Sequence, residues 1–197
     1  MNKRVISFLL FITVCVSCKT SENEKNKTFN KLEIASQYYK ALDQSDSTKM
    51  ISLVGDSIVI RENEDNYEER FSCQRYNTWL AWESVFDPTY KILEMKEAKN
   101  IVTAKVSKTD KRIFFLTQEP VVWVETLQFD QNRIVKVNRI EYEVFNIEKF
   151  VKNRDSLVQW IDKHHKELSG FLYPQTKSTG IKYLKAIELY NKEKGSY

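Results

Sequence analysis

The stretch VVWVETLQFDQNRIVKVNRIEYE, residues 121–143, decides how the rest of this sequence folds. Apolar and polar residues alternate on both sides of Asp130-Gln131-Asn132, which is typical of two antiparallel strands joined by a short turn. If Phe129 pairs with Ile134, the cross-strand partners are Leu127 with Lys136, Glu125 with Asn138, Trp123 with Ile140 and Val121 with Tyr142. A slip of one residue would exchange the two faces of this hairpin.

The remaining segments change period along the chain. Helical spacing predicts five helices: one from Phe29 to Leu42, one begun by Ser47 and ended by Gly55, and three over residues 71–86, 146–170 and 179–193. Strand patterns cover residues 57–61, 89–97, 100–108, 111–117, 120–129 and 133–143, with an acidic loop at 62–69. This order predicts an α+β fold with an antiparallel meander.

Three segments resemble the NTF2-like superfamily, also called SnoaL-like. They are the opening helix with residues 38–42 (YYKAL), the residues 53–56 (LVGD) before the first strand, and the hairpin 121–143 with its FDQNRIV turn. The resemblance implies a cone, in which a strongly bent sheet wraps around N-terminal helices and encloses a pocket. Residues 30–143 carry the resemblance, which implies a domain over residues 29–145. We expect the helices of residues 146–197 to form a C-terminal extension packed on this domain. The superfamily contains isomerases, dehydratases, cyclases and noncatalytic binding modules.

The N-terminus has the layout of a secretory signal. Lys3 and Arg4 precede an apolar run over residues 5–16, which is shorter than the roughly 20 residues that a spanning helix needs. The residues before Cys18 resemble the lipobox of bacterial lipoproteins, with Cys15 where leucine is usual. We therefore expect a signal peptide over residues 1–17, lipid such as palmitate on Cys18, and a polar tether to residue 28. The resemblance implies an envelope lipoprotein, at the outer membrane rather than the inner.

Composition excludes several classes of function. Lys3 and Arg4 supply two of the four formal positive charges, so +2 remains on the mature chain, and no dense basic stripe indicates nucleic-acid binding. Removal of Cys15 and acylation of Cys18 would leave Cys73 without an intramolecular partner. No nucleotide-binding motif is found. A metal site at His164 and His165 would need another ligand from elsewhere, because adjacent helix positions do not face each other. We expect no cofactor.

The candidate site lies on the hairpin and on the third helix. Glu125 beside Trp123, Asn138 and Tyr142 would be a carboxylate in apolar surroundings, and Arg139 lies on the opposite face. The aromatic residues Tyr76, Trp79 and Trp82 either stack on a ligand or pack in the core. Two functions remain open: a noncatalytic module that binds a small apolar molecule or an envelope protein, and an isomerase or hydro-lyase that uses Glu125 for proton transfer. The resemblance to this superfamily also leads us to expect a homodimer formed through the open face of the sheet.

Overall fold

The computed structural model describes residues 30–64 and 66–194, and the α+β class predicted from the sequence is confirmed. Helices and strands are interspersed along the chain. The α-helices are α1 (Lys31–Asp43), α2 (Ser47–Leu53), α3 (Cys73–Glu83), α4 (Lys111–Thr117), α5 (Ile147–His164) and α6 (Lys177–Lys194). The strands are β1 (Val54–Glu62), β2 (Tyr67–Ser72), β3 (Thr89–Ala98), β4 (Ile101–Thr109), β5 (Val121–Asp130) and β6 (Arg133–Val144).

The strands form one curved six-stranded sheet in the order β2-β1-β6-β5-β4-β3. All neighbours are antiparallel except β1 and β6, which pair in parallel. Register shifts occur within the β1–β6, β3–β4 and β5–β6 pairs. Because a bulge bends the strand that carries it and increases the local twist, these shifts account for the curvature.

Helix α1 packs against the concave side of the sheet. Asn30 caps its first turn, with the side-chain oxygen accepting from the backbone N–H of Glu33 at 3.1 Å. Its buried residues are Ala35, Tyr38, Tyr39, Ala41 and Leu42, and they share a core with inward residues of the strands. This apolar stripe at helical spacing holds α1 inside the sheet.

A second core joins α5 and α6 to α3. Leu157, Trp160 and Ile161 of α5 and Tyr183 of α6 pack with Trp82 and with other buried residues of this cluster. Gly180 allows the close approach of α6, since a Cβ there would lie 3.1 Å from the carbonyl oxygen of Trp82. The C-terminal helices therefore pack on the third helix of the fold.

The prediction of a strand over residues 111–117 is wrong. Asp110 ends β4 by accepting from the backbone N–H of Ile113 at 2.5 Å, which caps α4. Gln118 then adopts φ +62° and ends the helix after seven residues. A short apolar run does not distinguish a helix from a strand by period, so the cap decides the structure.

Smaller differences affect the element boundaries. Asp46, not Ser47, caps α2, and Gly55 lies in β1 rather than ending the helix in a left-handed conformation. A Cβ on Gly55 would lie 3.2 Å from the carbonyl oxygen of Ser57 and from Val135. The predicted acidic loop includes the start of β2 at Tyr67. Helix α5 ends at His164, before the positive φ of Gly170.

The predicted signal peptide, the lipid anchor Cys18 and the tether lie outside the described residues. Within residues 30–64 and 66–194, no helix combines the length and the apolar character needed to cross a membrane.

Candidate functional site

The concave side of the sheet encloses a cavity of about 370 Å³. Its wall comes from α1, α3, α4, the strands and the C-terminal segment. Ten lining residues are aromatic, namely Tyr38, Tyr67, Phe71, Tyr76, Trp79, Tyr90, Trp123, Tyr142, Phe145 and Phe150. Five are aliphatic: Leu42, Ile60, Ile113, Val121 and Val137. The rest are polar: Glu62, Glu83, Lys108, Arg112, Glu125, Arg139 and Gln175.

The register of the closing hairpin sets which side chains meet in this cavity. Phe129 pairs with Ile134 as predicted, but the ladder then skips Val135, so Leu127 lies opposite Val137 rather than Lys136. Glu125 therefore lies opposite Arg139 and not Asn138. Beyond the next shift Trp123 lies opposite Tyr142, and Val121 pairs with Lys108 of β4. The predicted pairs of Glu125, Trp123 and Val121 were wrong because bulges add residues on β6.

Glu125 is a buried carboxylate held by two neutral donors. Its side chain is on the cavity wall, and the residue is 3% exposed. Oε1 accepts from the Tyr39 hydroxyl at 2.7 Å, and Oε2 accepts from the Trp123 indole N–H at 2.7 Å. The Nε atom of Arg139 lies 4.0 Å from Oε2, beyond hydrogen-bonding distance.

Arg139 is oriented by Glu62 and by two aromatic rings. Its Nη1 donates to Oε1 of Glu62 at 2.5 Å and to the Tyr142 hydroxyl at 2.6 Å. The guanidinium carbon lies 4.5 Å from the centre of the Trp123 ring and 5.2 Å from that of Tyr142. Burial lowers the pKa of Arg139, but Tyr142, Glu62 and Glu125 outweigh it and raise the pKa above its ordinary value. The guanidinium is therefore charged.

A second ionic cluster, absent from the sequence-based candidates, forms the other polar part of the wall. Glu83, which is 2% exposed, forms an ion pair with Lys108 and accepts from Arg112 at 3.1 Å. The Tyr90 hydroxyl donates to the same carboxylate at 3.1 Å. Asp110 lies behind, 3.4 Å from Nη2 of Arg112 and 3.6 Å from Nζ of Lys108. The alternation of β4 places Lys108 in phase with buried residues, and that signal could have identified it.

A pair of tyrosines lies near both clusters. The hydroxyl groups of Tyr38 and Tyr76 are 2.6 Å apart and hydrogen-bonded. Burial raises the pKa of Tyr38 well above its ordinary value, and interaction with Tyr76 and Glu125 raises it further. Burial likewise raises the pKa of Tyr39, with a further contribution from Glu125. All three phenols therefore remain protonated donors near neutral pH.

The structure brings six of the eight predicted site residues together. The residues that line the cavity are Tyr76, Trp79, Trp123, Glu125, Arg139 and Tyr142. Trp82 instead packs in the second core, with its ring 5.1 Å from that of Phe86. Asn138 pairs with Thr126 and Arg61 in the sheet and does not line the cavity.

The two histidines lie away from the cavity, at the end of α5. The nitrogen atoms of His165 are 3.4 Å from Glu167 and 3.3 Å from Glu193. Within the described part of the chain, no group of three or more His, Cys, Asp or Glu side chains is arranged to hold a metal ion.

Comparisons with known proteins return similarities of fold only. No family model and no curated protein sequence matches the chain. An NTF2-like protein of unknown function from Cytophaga hutchinsonii matches at 11% identity over 60% of this chain and 95% of its own, with a TM-score of 0.47. A candidate ketosteroid isomerase from Kribbella flavida matches at 13% identity over 58% and 78%, with a TM-score of 0.47. IdmH from Streptomyces antibioticus, a candidate polyketide cyclase, matches at 10% identity over 64% and 99%, with a TM-score of 0.49.

Proposed function

We propose that this chain is a cell-envelope lipoprotein, anchored by lipid on Cys18, whose domain binds a small, largely apolar molecule without transforming it. The observation that carries the proposal is the cavity of about 370 Å³ on the concave side of the sheet. Sites for small molecules start at roughly 300 Å³ and are mostly apolar with a few placed polar groups. Fifteen of the 22 lining residues are aromatic or aliphatic, which fits that description.

A small molecule fits this site better than a protein partner does. The cavity is concave, and its charged side chains form ion pairs with one another within the wall, as in Glu62–Arg139 and Glu83–Lys108. A protein partner would instead be expected to use an exposed apolar patch on the outside of the molecule.

The hydrogen bonds of the charged side chains favour binding over catalysis. A general base needs a carboxylate that can reach a substrate proton, and a nucleophile needs an adjacent base. Glu125 is fixed by Tyr39 and Trp123, and Glu83 is fixed by Lys108 and Arg112. These contacts hold both carboxylates in the wall and stabilise it, instead of leaving them free to take up a substrate proton.

The test is binding of a neutral aromatic probe, 2-naphthylmethanol, to the purified full chain in nonionic detergent, followed by fluorescence anisotropy with a protein-free detergent blank. Ile60→Phe places a larger side chain on the cavity wall, and we expect it to weaken binding by about tenfold or more. Ile140→Phe, on β6 and outside the lining, is the matched control and should bind as the wild type does. Absence of saturable binding to the wild type would contradict the proposal.

The anchor is tested separately, by metabolic labelling with an alkyne fatty acid and by fractionation of cells. We expect label on the wild type and in the membrane fraction, and no label on Cys18→Ser. Cys15→Ser should still be labelled, because Cys15 belongs to the segment that is removed. If the label were lost in Cys15→Ser but kept in Cys18→Ser, the lipid would be on Cys15, which would contradict the proposal.

One observation favours the alternative, an isomerase or hydro-lyase: Glu125 is a buried carboxylate on the wall of the cavity. Each of its oxygens keeps a lone pair after accepting one hydrogen bond. If the protein converts a bound carbonyl compound, Glu125→Gln should abolish turnover while the folded protein still binds it. Turnover that survives this substitution would remove Glu125 from the reaction.

A further inference from the structure

The two ionic clusters of the cavity differ in their charge balance. In one cluster Glu83 and Asp110 are matched by Lys108 and Arg112, so two carboxylates meet two cations. In the other cluster Glu62 and Glu125 share only Arg139. The second cluster therefore has one more carboxylate than cations.

Among the described residues, no cation other than Arg139 pairs with Glu62 or Glu125. Glu125 accepts its two hydrogen bonds from neutral groups, and Arg139 is hydrogen-bonded to Glu62 rather than to Glu125. Glu64 is exposed and accepts from the backbone N–H of Tyr142 at 2.8 Å, so it adds a carboxylate and no cation next to this cluster. The excess carboxylate would repel an anionic ligand and attract a cation.

Aromatic faces line the same cavity. Tyr76 and Trp79 are stacked with ring centres 5.2 Å apart, and both line the wall. Burial raises the pKa of Tyr76 above its ordinary value, and Glu125 and Glu83 raise it further. The rings of Trp123 and Tyr142 already face the guanidinium of Arg139, whereas no cation of the described residues lies over the Tyr76 or Trp79 ring. Aromatic faces together with a carboxylate are the chemistry that binds organic ammonium groups.

We propose that the ligand of this cavity is an organic cation, a protonated amine or a quaternary ammonium group carried on an apolar or aromatic body. The inference rests on the proposed binding function and names the class of its ligand. The cationic group lies between Glu125 and the stacked rings of Tyr76 and Trp79. The apolar body contacts the remaining aromatic and aliphatic wall.

The experiment compares three probes of similar size and different charge at pH 7: 2-(aminomethyl)naphthalene, 2-naphthylmethanol and 2-naphthoate. Their affinities for the purified full chain are measured by fluorescence anisotropy in the same nonionic detergent buffer, with protein-free blanks. We expect the cation to bind about tenfold more tightly than the neutral alcohol, and the anion to bind more weakly than both.

Two variants assign the preference to the carboxylates. Glu125→Gln should bring the cation and the alcohol to within about twofold of each other, and Glu62→Gln should reduce the preference partly. Glu62 is half-buried at the edge of the cavity, so its variant decides the question if Glu125→Gln fails to fold in a thermal denaturation assay. Glu143→Gln is the matched control: it pairs with Lys105, does not line the cavity, and should keep the full preference.

The outcomes separate this inference from the function on which it rests. Saturable binding of the alcohol with equal or weaker binding of the cation would overturn the inference and leave the binding function intact. A cation preference that persists in folded Glu125→Gln and Glu62→Gln would overturn the assignment to these carboxylates. No binding of any probe would overturn both proposals.

Discussion

At the scale of single residues, the cavity depends on how its buried polar atoms are satisfied. Glu125 shows this most directly, because Tyr39 and Trp123 each supply one donor to a carboxylate that is removed from water. The sequence predicted the carboxylate and its neighbour Trp123. It did not predict Tyr39, which comes from α1, 86 positions away in the chain. Contacts between distant segments follow from the fold and have no local sequence signal.

Removal of the indole donor should therefore cost stability. Trp123→Phe keeps a large ring but leaves Oε2 of buried Glu125 without its donor, so we expect a loss of about 1–3 kcal/mol in the free energy of unfolding beyond the loss of packing. Urea unfolding measures it. Trp79→Phe is the control, because no hydrogen bond of the Trp79 indole is found among the described residues. Equal losses in the two variants would contradict the role assigned to Trp123.

The charge of Asp110 should make stability depend on acid pH. Burial raises the pKa of Asp110, but Arg112, Lys108 and the backbone N–H of Ile113 outweigh it, so the pKa is lowered in the folded protein. Because the unfolded chain then binds the proton more readily, the stabilisation is present above the ordinary value of 3.8 and is lost as the pH falls through the folded pKa.

Asp110→Asn tests this effect, since asparagine also caps a helix and the charge alone is removed. Urea unfolding between pH 2 and pH 7 should show a shallower dependence on pH in the variant than in the wild type. Parallel curves would mean that Asp110 does not contribute to the acid sensitivity.

At the scale of the elements, caps and bulges explain where sequence-based prediction succeeded and failed. The long amphipathic helices α1 and α5 were predicted to begin close to the observed residues, because their apolar spacing extends over several turns. The seven-residue α4 was predicted as a strand, because seven residues are too few to distinguish a helical period from a strand period. The hairpin turn was predicted correctly at Phe129 and Ile134, but the bulges on β6 left no clear pattern in an alternating sequence.

The contact between α3 and α6 gives a test at this scale. Replacing a helical glycine by alanine ordinarily stabilises a helix by about 1 kcal/mol. At Gly180 the new Cβ would lie 3.1 Å from the backbone oxygen of Trp82, which cannot move aside as a flexible side chain can. We expect Gly180→Ala to lower the unfolding temperature, whereas Lys182→Ala on the exposed side of α6 should change it little. A higher unfolding temperature for Gly180→Ala would show that α6 can shift away from α3.

At the scale of the whole molecule, the concentration of phenols in one core has a consequence at high pH. Burial raises the pKa values of Tyr38, Tyr39, Tyr76 and Tyr90 above the ordinary value of 10. A raised pKa in the folded protein stabilises it fully below that ordinary value, and the stabilisation is lost as the pH rises above 10, because the unfolded chain releases its protons first.

Alkaline titration should therefore unfold the protein cooperatively. Absorbance at 295 nm reports ionised tyrosine, and circular dichroism reports folding. We expect one group of tyrosines to ionise only when the circular dichroism signal is lost. Ionisation of all tyrosines with the fold intact would contradict the buried phenol core.

The α+β class could be predicted from the order of periodic segments, and the hairpin pattern placed Trp123, Glu125 and Tyr142 on one face, although their cross-strand partners were wrong. The cluster of Glu83, Lys108 and Arg112 could not be predicted from the sequence. Its residues come from α3, β4 and α4, which the curved sheet brings together. Trp82 illustrates the remaining ambiguity: its spacing on α3 is the same as that of residues facing the cavity, and the packing of α5 and α6 determines that it is covered.

The edge of the cavity is built by segments that belong to different parts of the chain. Phe145 follows β6, Phe150 belongs to α5, and Gln175 lies just before α6; the rings of Tyr142, Phe145 and Phe150 form a continuous series at spacings of 4.8 and 5.4 Å. The wall of the cavity is therefore completed by residues beyond the last strand. A chain that stopped after residue 145 would lose Phe150 and Gln175 from that wall.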